Sequence, residues 1–293
     1  MDALALGWLW NAGSYSAFID EGVALIERAQ AIGDQIRVAE IMKRVAAAAR
    51  YAGRLAPADR YTAEARTIGH RFGLRAHLRD LRSGEATGAW FAGDADGALA
   101  ILDEVTAEAA GDDDGLRLVG TGRRRTEILG AEGRYDEAVA AGTAALAESV
   151  RSGERWNRSE IHGQLAVNLL RVGRTKEAEA HAAEAATMVR GPEDISGVAE
   201  AEWVRAHLLA VRGDDDAADA AFSAAIASAD RGEFVHLHVS LRLDRAEFLL
   251  ARGRAPEAAA LLAEVERLGP PPPWNYLPAR RRALAATLQA KRV

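Results

Sequence analysis

Seven glycines, Gly13, Gly53, Gly93, Gly133, Gly173, Gly213 and Gly253, recur every 40 residues without a gap. A fixed period in the range of about 20–50 residues is the mark of stacked structural repeats. Further columns keep the same register. Five residues after the glycine stand Phe18, Ala58, Ala98, Ala138, Ala178, Ala218 and Ala258. Seven before it stand Leu6, Ala46, Ala86, Thr126, Ala166, Ala206 and Ala246. Four before it stand Leu9, Ala49, Ala89, Leu129, Leu169, Leu209 and Leu249.

Glycine closes a helix by turning left-handed without a Cβ penalty. A polar residue follows each anchor glycine (Ser14, Arg54, Asp94, Arg134, Arg174, Asp214, Arg254), and helical apolar spacing resumes, as in 133–146 and 253–265. Pro57 and Pro256 stand in a first helical turn, where a missing N–H does no harm. Small residues on both sides of the turn let two helices approach closely. The unit is therefore a helix–turn–helix hairpin, and the chain reads as an all-α solenoid of about seven antiparallel hairpins. First helices are expected over 2–11, 36–51, 74–92, 115–131, 155–171, 194–211 and 234–251. Second helices are expected over 15–32, 56–72, 95–110, 135–151, 175–189, 215–231 and 255–268. Turn signals between hairpins fall at Gly33, Gly73, Gly111–Gly115, Gly153, Gly191-Pro192 and Gly232. The array covers 1–269. A Pro-rich connection covers 270–278, and a capping helix lies in 279–293. Pro270–Tyr276 is expected to fold over the last hairpin.

Composition narrows the function. About a fifth of the chain is alanine, which loses no side-chain entropy in a helix. A net charge of −6 argues against direct nucleic-acid binding, which draws on phosphate neutralisation. No cysteine is present, so disulfides, thiolate nucleophiles and cysteine zinc sites are excluded together. The start, Met1-Asp2-Ala3-Leu4, has no basic signal-peptide region, and no stretch approaches the ~20 apolar residues of a membrane span. A cytoplasmic protein that binds no membrane is the expectation. The apolar start (Leu4, Leu6, Trp8, Leu9, Trp10) reads either as a simple cap or as an edge for a further domain or a second copy.

Catalytic patterns fail one by one. The seven histidines form no HExxH, and His236 and His238 fall on different helix faces. Asp112–Asp114 lacks the bidentate Glu of an EF-hand, with Arg123 in its place. No phosphate loop and no GxSxG elbow occurs. No catalytic residue, metal ligand or cofactor site is assigned, and the chain is not expected to be an enzyme.

The columns resemble the tetratricopeptide repeat. Ala166, Gly173, Ala178 and Ala185, then Ala206, Gly213, Ala218 and Ala225, match that family's small residue, turn glycine and second-helix alanines. The segment 133–149 is similar to the family's turn and second helix. The period is 40 rather than 34, and the aromatic column is mostly Leu and Ala. Long-period arrays of this kind resemble the C-terminal regions of bacterial regulators of the MalT and LuxR type and of adenylate cyclase-like proteins. The resemblance implies a right-handed superhelix whose concave groove, lined by first helices, takes a protein or peptide. The main expectation is thus a non-catalytic scaffold module of a bacterial regulator. The alternative is a small-molecule effector-sensing domain.

By the same resemblance, four positions per first helix line the groove: 13, 10, 6 and 3 residues before the anchor glycine. The first column holds Glu40, Asp80, Glu160 and Glu200, and the second Lys43, Arg123 and Trp203. The third holds Glu127, His207 and Glu247, and the fourth Trp10, Arg50 and Trp90. They read as an acidic stripe with embedded indoles, suited to a cationic peptide or ligand. The same acids also suit an ordinary solvated helix face. Trp90 and Trp203 can equally be core residues. Arg123, Arg124 and Arg125 point about 100° apart around a helix, so they read as a solvated face rather than one anion site.

Overall fold

The structure is a computed structural model that describes residues 7, 9, 10 and 12–291. All regular structure among these residues is helical: residues 7, 9 and 10 are helical, and fourteen helices follow. They are α1 (Tyr15–Ala31), α2 (Gln35–Tyr51), α3 (Leu55–Arg71), α4 (Arg75–Phe91), α5 (Ala95–Gly111), α6 (Gly115–Ala131) and α7 (Tyr135–Ser152). Then follow α8 (Arg158–Arg171), α9 (Thr175–Thr187), α10 (Ile195–Arg212), α11 (Asp215–Ala229), α12 (Val235–Ala251), α13 (Ala255–Leu268) and α14 (Pro278–Ala290). Consecutive helices touch, and the chain is an all-α helical-repeat solenoid. The helix expected at 2–11 lies mostly outside the described residues, as does most of the apolar start. Of that start, Leu9 and Trp10 join a cluster with Tyr15, Phe18 and Phe234.

All seven anchor glycines turn left-handed, with φ between 63° and 92°. They occupy equivalent corners of successive hairpins. The column five residues later is sealed: its six alanines are 0% exposed and Phe18 only 3%. The described members of the column seven before the glycine are also 0% exposed. These two columns face each other inside each hairpin. A larger residue there would overpack the crossing, at about 1–3 kcal/mol. The corners between hairpins follow the same period at Gly33, Gly73 and Gly153, but at the intervening position Asp113 takes the left-handed conformation (φ 52°). Aspartate tolerates that region, and the glycines at 111 and 115, which looked like the turn, lie in helices.

Neighbouring first helices are laced by side chains offset by 37 residues, one period less about one helical turn. Lys43 donates to Asp80 (2.8 Å), and the Arg117 guanidinium donates twice to the same carboxylate (2.9 Å each). His77 Nδ1 lies 2.9 Å from Glu40, Arg123 donates to Glu160 (2.5 Å), and His207 Nε2 lies 3.2 Å from Asp244. The offset records a constant skew between stacked helices.

The array winds until its start meets the seventh hairpin. Glu233 N donates to the Gly13 carbonyl (2.9 Å). The Glu233 carboxylate accepts from Ser16 N (3.1 Å to either oxygen) and Ser16 Oγ (2.7 Å). A carboxylate thus sits on the exposed amides at the start of α1, where the helix dipole favours negative charge. Phe234 meets Tyr15 edge-on at 5.4 Å.

The Pro-rich segment departs from expectation. It does not stop at the last hairpin but crosses to the second and third. Pro270 lies against Gly53, Asn275 N donates to the Phe91 carbonyl (2.8 Å), and Tyr276 packs on Trp90 (4.9 Å). It fills that end of the superhelical lumen together with Tyr51, Phe91 and the His236 ring. Trp90 is therefore core, at 0% exposure. Helix α14 then packs on α12 and α13, and Arg280 pairs with Asp244 (2.6 Å) and Glu247 (2.7 Å).

Candidate functional site

The concave face is built by first helices, since each second helix lies outside its partner. The residues expected along it separate into distinct groups. Glu40, Lys43 and Asp80 join one ion-pair network across α2, α4 and α6. Arg123, Glu127 and Glu160 form a second across α6 and α8. Trp203, His207 and Glu247 belong to a third, centred on Asp244, which accepts from Trp203 Nε1 (2.5 Å) and pairs with Arg280. Arg50 turns inward: it is 2% exposed and donates to Thr62 (2.5 Å), and burial lowers its guanidinium to about 10. Trp10 packs edge-on against Tyr15, Phe18 and Tyr51.

Two expectations are corrected here. The acidic column is not an open stripe, because Glu40, Asp80 and Glu160 each already hold a base from an adjacent hairpin. The hydrogen bond from His77, opposed by burial and aided by Lys43, holds the Glu40 carboxyl down at about 2. Nor do the three arginines form a solvated face. Arg124 is buried, bonded to Glu127 and to the Tyr51 hydroxyl, and Arg123 reaches into the lumen. Only Arg125 points outward, to Asp103. The superhelix curls α2 and α6 towards each other, which no single helix reveals.

Glu200 is different. Its carboxylate makes no hydrogen bond and no ion pair among the described residues. The 37-residue ladder shows why. The base that serves Asp80 from the preceding hairpin is Lys43, and the base that serves Glu160 is Arg123. For Glu200 the corresponding residue is Gly163. From the following hairpin, Glu40 receives His77 and Asp80 receives Arg117, whereas Glu200 receives Leu237. Both rungs are missing. A Cβ placed on Gly163 would touch only Val204, at an ordinary 3.7 Å, so the site accepts a side chain, and Gly163 and Glu200 border one cleft. Burial, with Glu160 and Glu127 nearby, holds the Glu200 carboxyl well above the ordinary carboxylate range.

Glu200 borders a lumenal cavity of about 70 Å³ enclosed by α6, α8, α10, α12 and the 276–280 segment. Polar groups line it: Gln164 and Asn168 on α8, Ser240, Asp244 and His236 on α12, Trp203 on α10. The His236 ring is 7% exposed and its Nδ1 has no partner. Burial, then the charge of Arg124, keeps its imidazole well below the usual histidine range, so it is neutral at pH 7. Asp244 behaves oppositely: burial alone would raise its carboxyl, but Arg280 and His207 hold it far below the usual range. About 10 Å of helix separates Gln164 from Arg171, which also lines the cavity, at 1.5 Å per residue. The slot thus has an unpaired carboxyl at one end and arginines at the other.

Glu200 also borders two outer clefts, of about 350 and 280 Å³. Both open where α9 and α10 pack more sparsely than the corresponding helices at other hairpin junctions. Helix α9 has 13 residues where most of the others have 17, and the connection after it is irregular. A second lumenal depression of about 260 Å³ lies on the far side of Tyr51 and Arg124. Its Arg117, Arg123 and Arg124 already hold carboxylates.

The lining carries no assembled catalytic set. Ser240 Oγ donates weakly to the Leu237 carbonyl (3.5 Å) rather than to His236, so no base activates it. No group of three metal-ligating side chains occurs among the described residues. His162 and His181, unremarkable in the sequence, meet Nδ1 to Nδ1 at 2.9 Å on the outer side of hairpin five, with too few companions for a metal. No helix among the described residues is long and apolar enough to cross a membrane. In comparisons with known proteins, no family model matches the chain and no curated sequence is significantly similar to it.

Proposed function

We propose that the chain is a non-catalytic sensing module that takes a small polar molecule into its lumen and reports occupancy through the closure of its superhelix. The observation that carries this reading is the filled groove. The segment 270–276 packs into the concave channel against Phe91 and Trp90. The larger depression beyond Tyr51 has its Arg117, Arg123 and Arg124 already paired, while beside the segment remains a polar cavity of about 70 Å³. That space suits a compact ligand, since about 10–15 Å³ of such volume holds one water. A polar cavity with few convergent hydrogen-bonding groups is the usual form of a small-molecule site. The resemblance to repeat regions of MalT-type regulators points the same way. A peptide lying along the concave groove, the other reading of the sequence, requires residues 270–276 to leave it first.

The chain has no native cysteine, which allows a direct test. Ser16→Cys with Glu233→Cys, joined by a short bis-maleimide that alkylates both thiols, locks the contact between the start and the seventh hairpin. Small ligands found by thermal-shift screening of the free protein should still stabilise the locked form. If instead the locked protein loses binding of a peptide that the free protein takes, the peptide reading replaces this one.

A further inference from the structure

The missing rungs of the ladder say what kind of molecule the cavity takes, on the reading that the lumen is a ligand site. Along the inner face, each lumenal acid of the column that begins at Glu40 has a basic partner supplied by an adjacent hairpin. Asp80 has two, Lys43 at 2.8 Å and Arg117 at 2.9 Å, and Glu160 has Arg123 at 2.5 Å. Glu200 occupies the same column, on the same face, with glycine and leucine where those bases stand. We infer that a small organic cation, bearing an ammonium or guanidinium group, supplies the missing base and binds between Gly163 and Glu200.

The chemistry around Glu200 fits such a group. A cation placed there meets Glu200 and lies close to Glu160, whose only ion-pair partner among the described residues is Arg123. Charge-assisted hydrogen bonds of this kind are about twice as strong as neutral ones. The His236 imidazole borders the same cavity, is more than nine-tenths buried, and leaves Nδ1 without a partner. Together with Gln164 and Ser240 it offers neutral hydrogen-bonding groups to the body of the molecule. The cleft between α9 and α10 reaches Gly163 and Glu200 from outside, so the cation has a path. An anion is disfavoured at this end, because it would face Glu200 and Glu160 with only Arg123 to offset them.

Isothermal calorimetry and thermal shift with agmatine, putrescine and L-lysine test the assignment, with glucose and citrate as neutral and anionic probes. Wild-type protein should bind at least one of the three cations, and Glu200→Gln should weaken that binding at least tenfold. Gly163→Lys supplies the ammonium from the chain itself, in the register that brings Lys43 to Asp80. It should raise the melting temperature and abolish cation binding, whereas a merely misfolded variant would melt lower. Undiminished cation binding in Glu200→Gln overturns the inference. Binding of glucose or citrate in the lumen without any cation also overturns it, while leaving the sensing function intact. Binding of none of the five probes overturns it as well. The sensing reading has its own test in the cross-linked protein, which does not depend on ligand charge.

Discussion

The two ends of the lumen are built from the same repeat and finished differently. In hairpins two to four, the acids of the inner-face ladder are paired with bases, rings pack beside them with Trp90, Phe91 and Tyr276 in mutual contact, and the arginines Arg117, Arg123 and Arg124 that border the open depression there already hold carboxylates. In hairpins five to seven the rings give way to Gln164, Asn168 and Ser240, and one acid of the ladder is left single. The first end is a core that happens to line a lumen. The second is costly to keep empty, because a half-buried carboxyl without a partner among the described residues is driven to take a proton or to find such a partner. On the proposed reading, the array makes a binding site by omission, deleting side chains from a pattern that its other repeats complete.

The largest effect that would break this contrast is at the sealed end. Trp90→Ala should cost about 3–5 kcal/mol in denaturant unfolding, as expected for a fully buried ring. A loss below about 1 kcal/mol would mean that the 270–276 segment does not seal the lumen.

The two acids of the ladder provide a sharper comparison. Asp80→Asn removes a carboxylate held by Lys43 and Arg117, all three partly shielded, and should destabilise by about 1 kcal/mol. Glu200→Gln at pH 7 should instead leave the free protein unchanged or slightly more stable, since the charge it removes has no partner. Equal losses in both variants would show that Glu200 is held by something other than a ligand.

The pH profiles should also differ in sign. Glu40, lowered to about 2 by the His77 hydrogen bond despite burial, contributes stability that is present above its ordinary value of 4.5 and fades as pH falls towards 2. Glu200 is raised by burial and by Glu160 and Glu127, with Asp194 adding to the shift and Arg123 opposing it. Its folded state binds the proton more tightly, so its contribution is fully present below 4.5 and is lost as pH rises through the folded value. Subtracting the Glu40→Gln and Glu200→Gln melting profiles from wild type between pH 3 and 8 should give slopes of opposite sign.

The smallest effect is spectroscopic. Replacing Trp203, which lines the cavity, by Phe should remove fluorescence that acrylamide can partly quench. Replacing Trp90 by Phe should remove fluorescence that it cannot reach.

Much of the fold was legible in the residues. The glycine column, the alanines five residues later and the small residues seven before each specify a local event, a left-handed corner and a tight helix crossing, repeated at constant spacing. Helix ends read from it fall within about three residues of those observed, with α8 the furthest off, starting at Arg158 where 155 was expected. Local steric rules carry that far because each hairpin is mostly determined by its own 40 residues. Gly163 stood in plain view as a glycine in a charged column. It carried no meaning until the skew between hairpins was known.

That skew, and the pitch it generates, belong to the tertiary structure. Whether Lys43 meets Asp80 depends on how far one hairpin slides along the next, and small packing volumes summed over an interface decide it. Whether the winding brings Glu233 to Ser16, or Tyr276 to Trp90, depends on that angle accumulated over six junctions. The sequence by itself therefore determined the repeat, its corners and its helices. Only the stacked array decided which acid remained alone, because pairing across hairpins is a property of their accumulated geometry and not of any one of them.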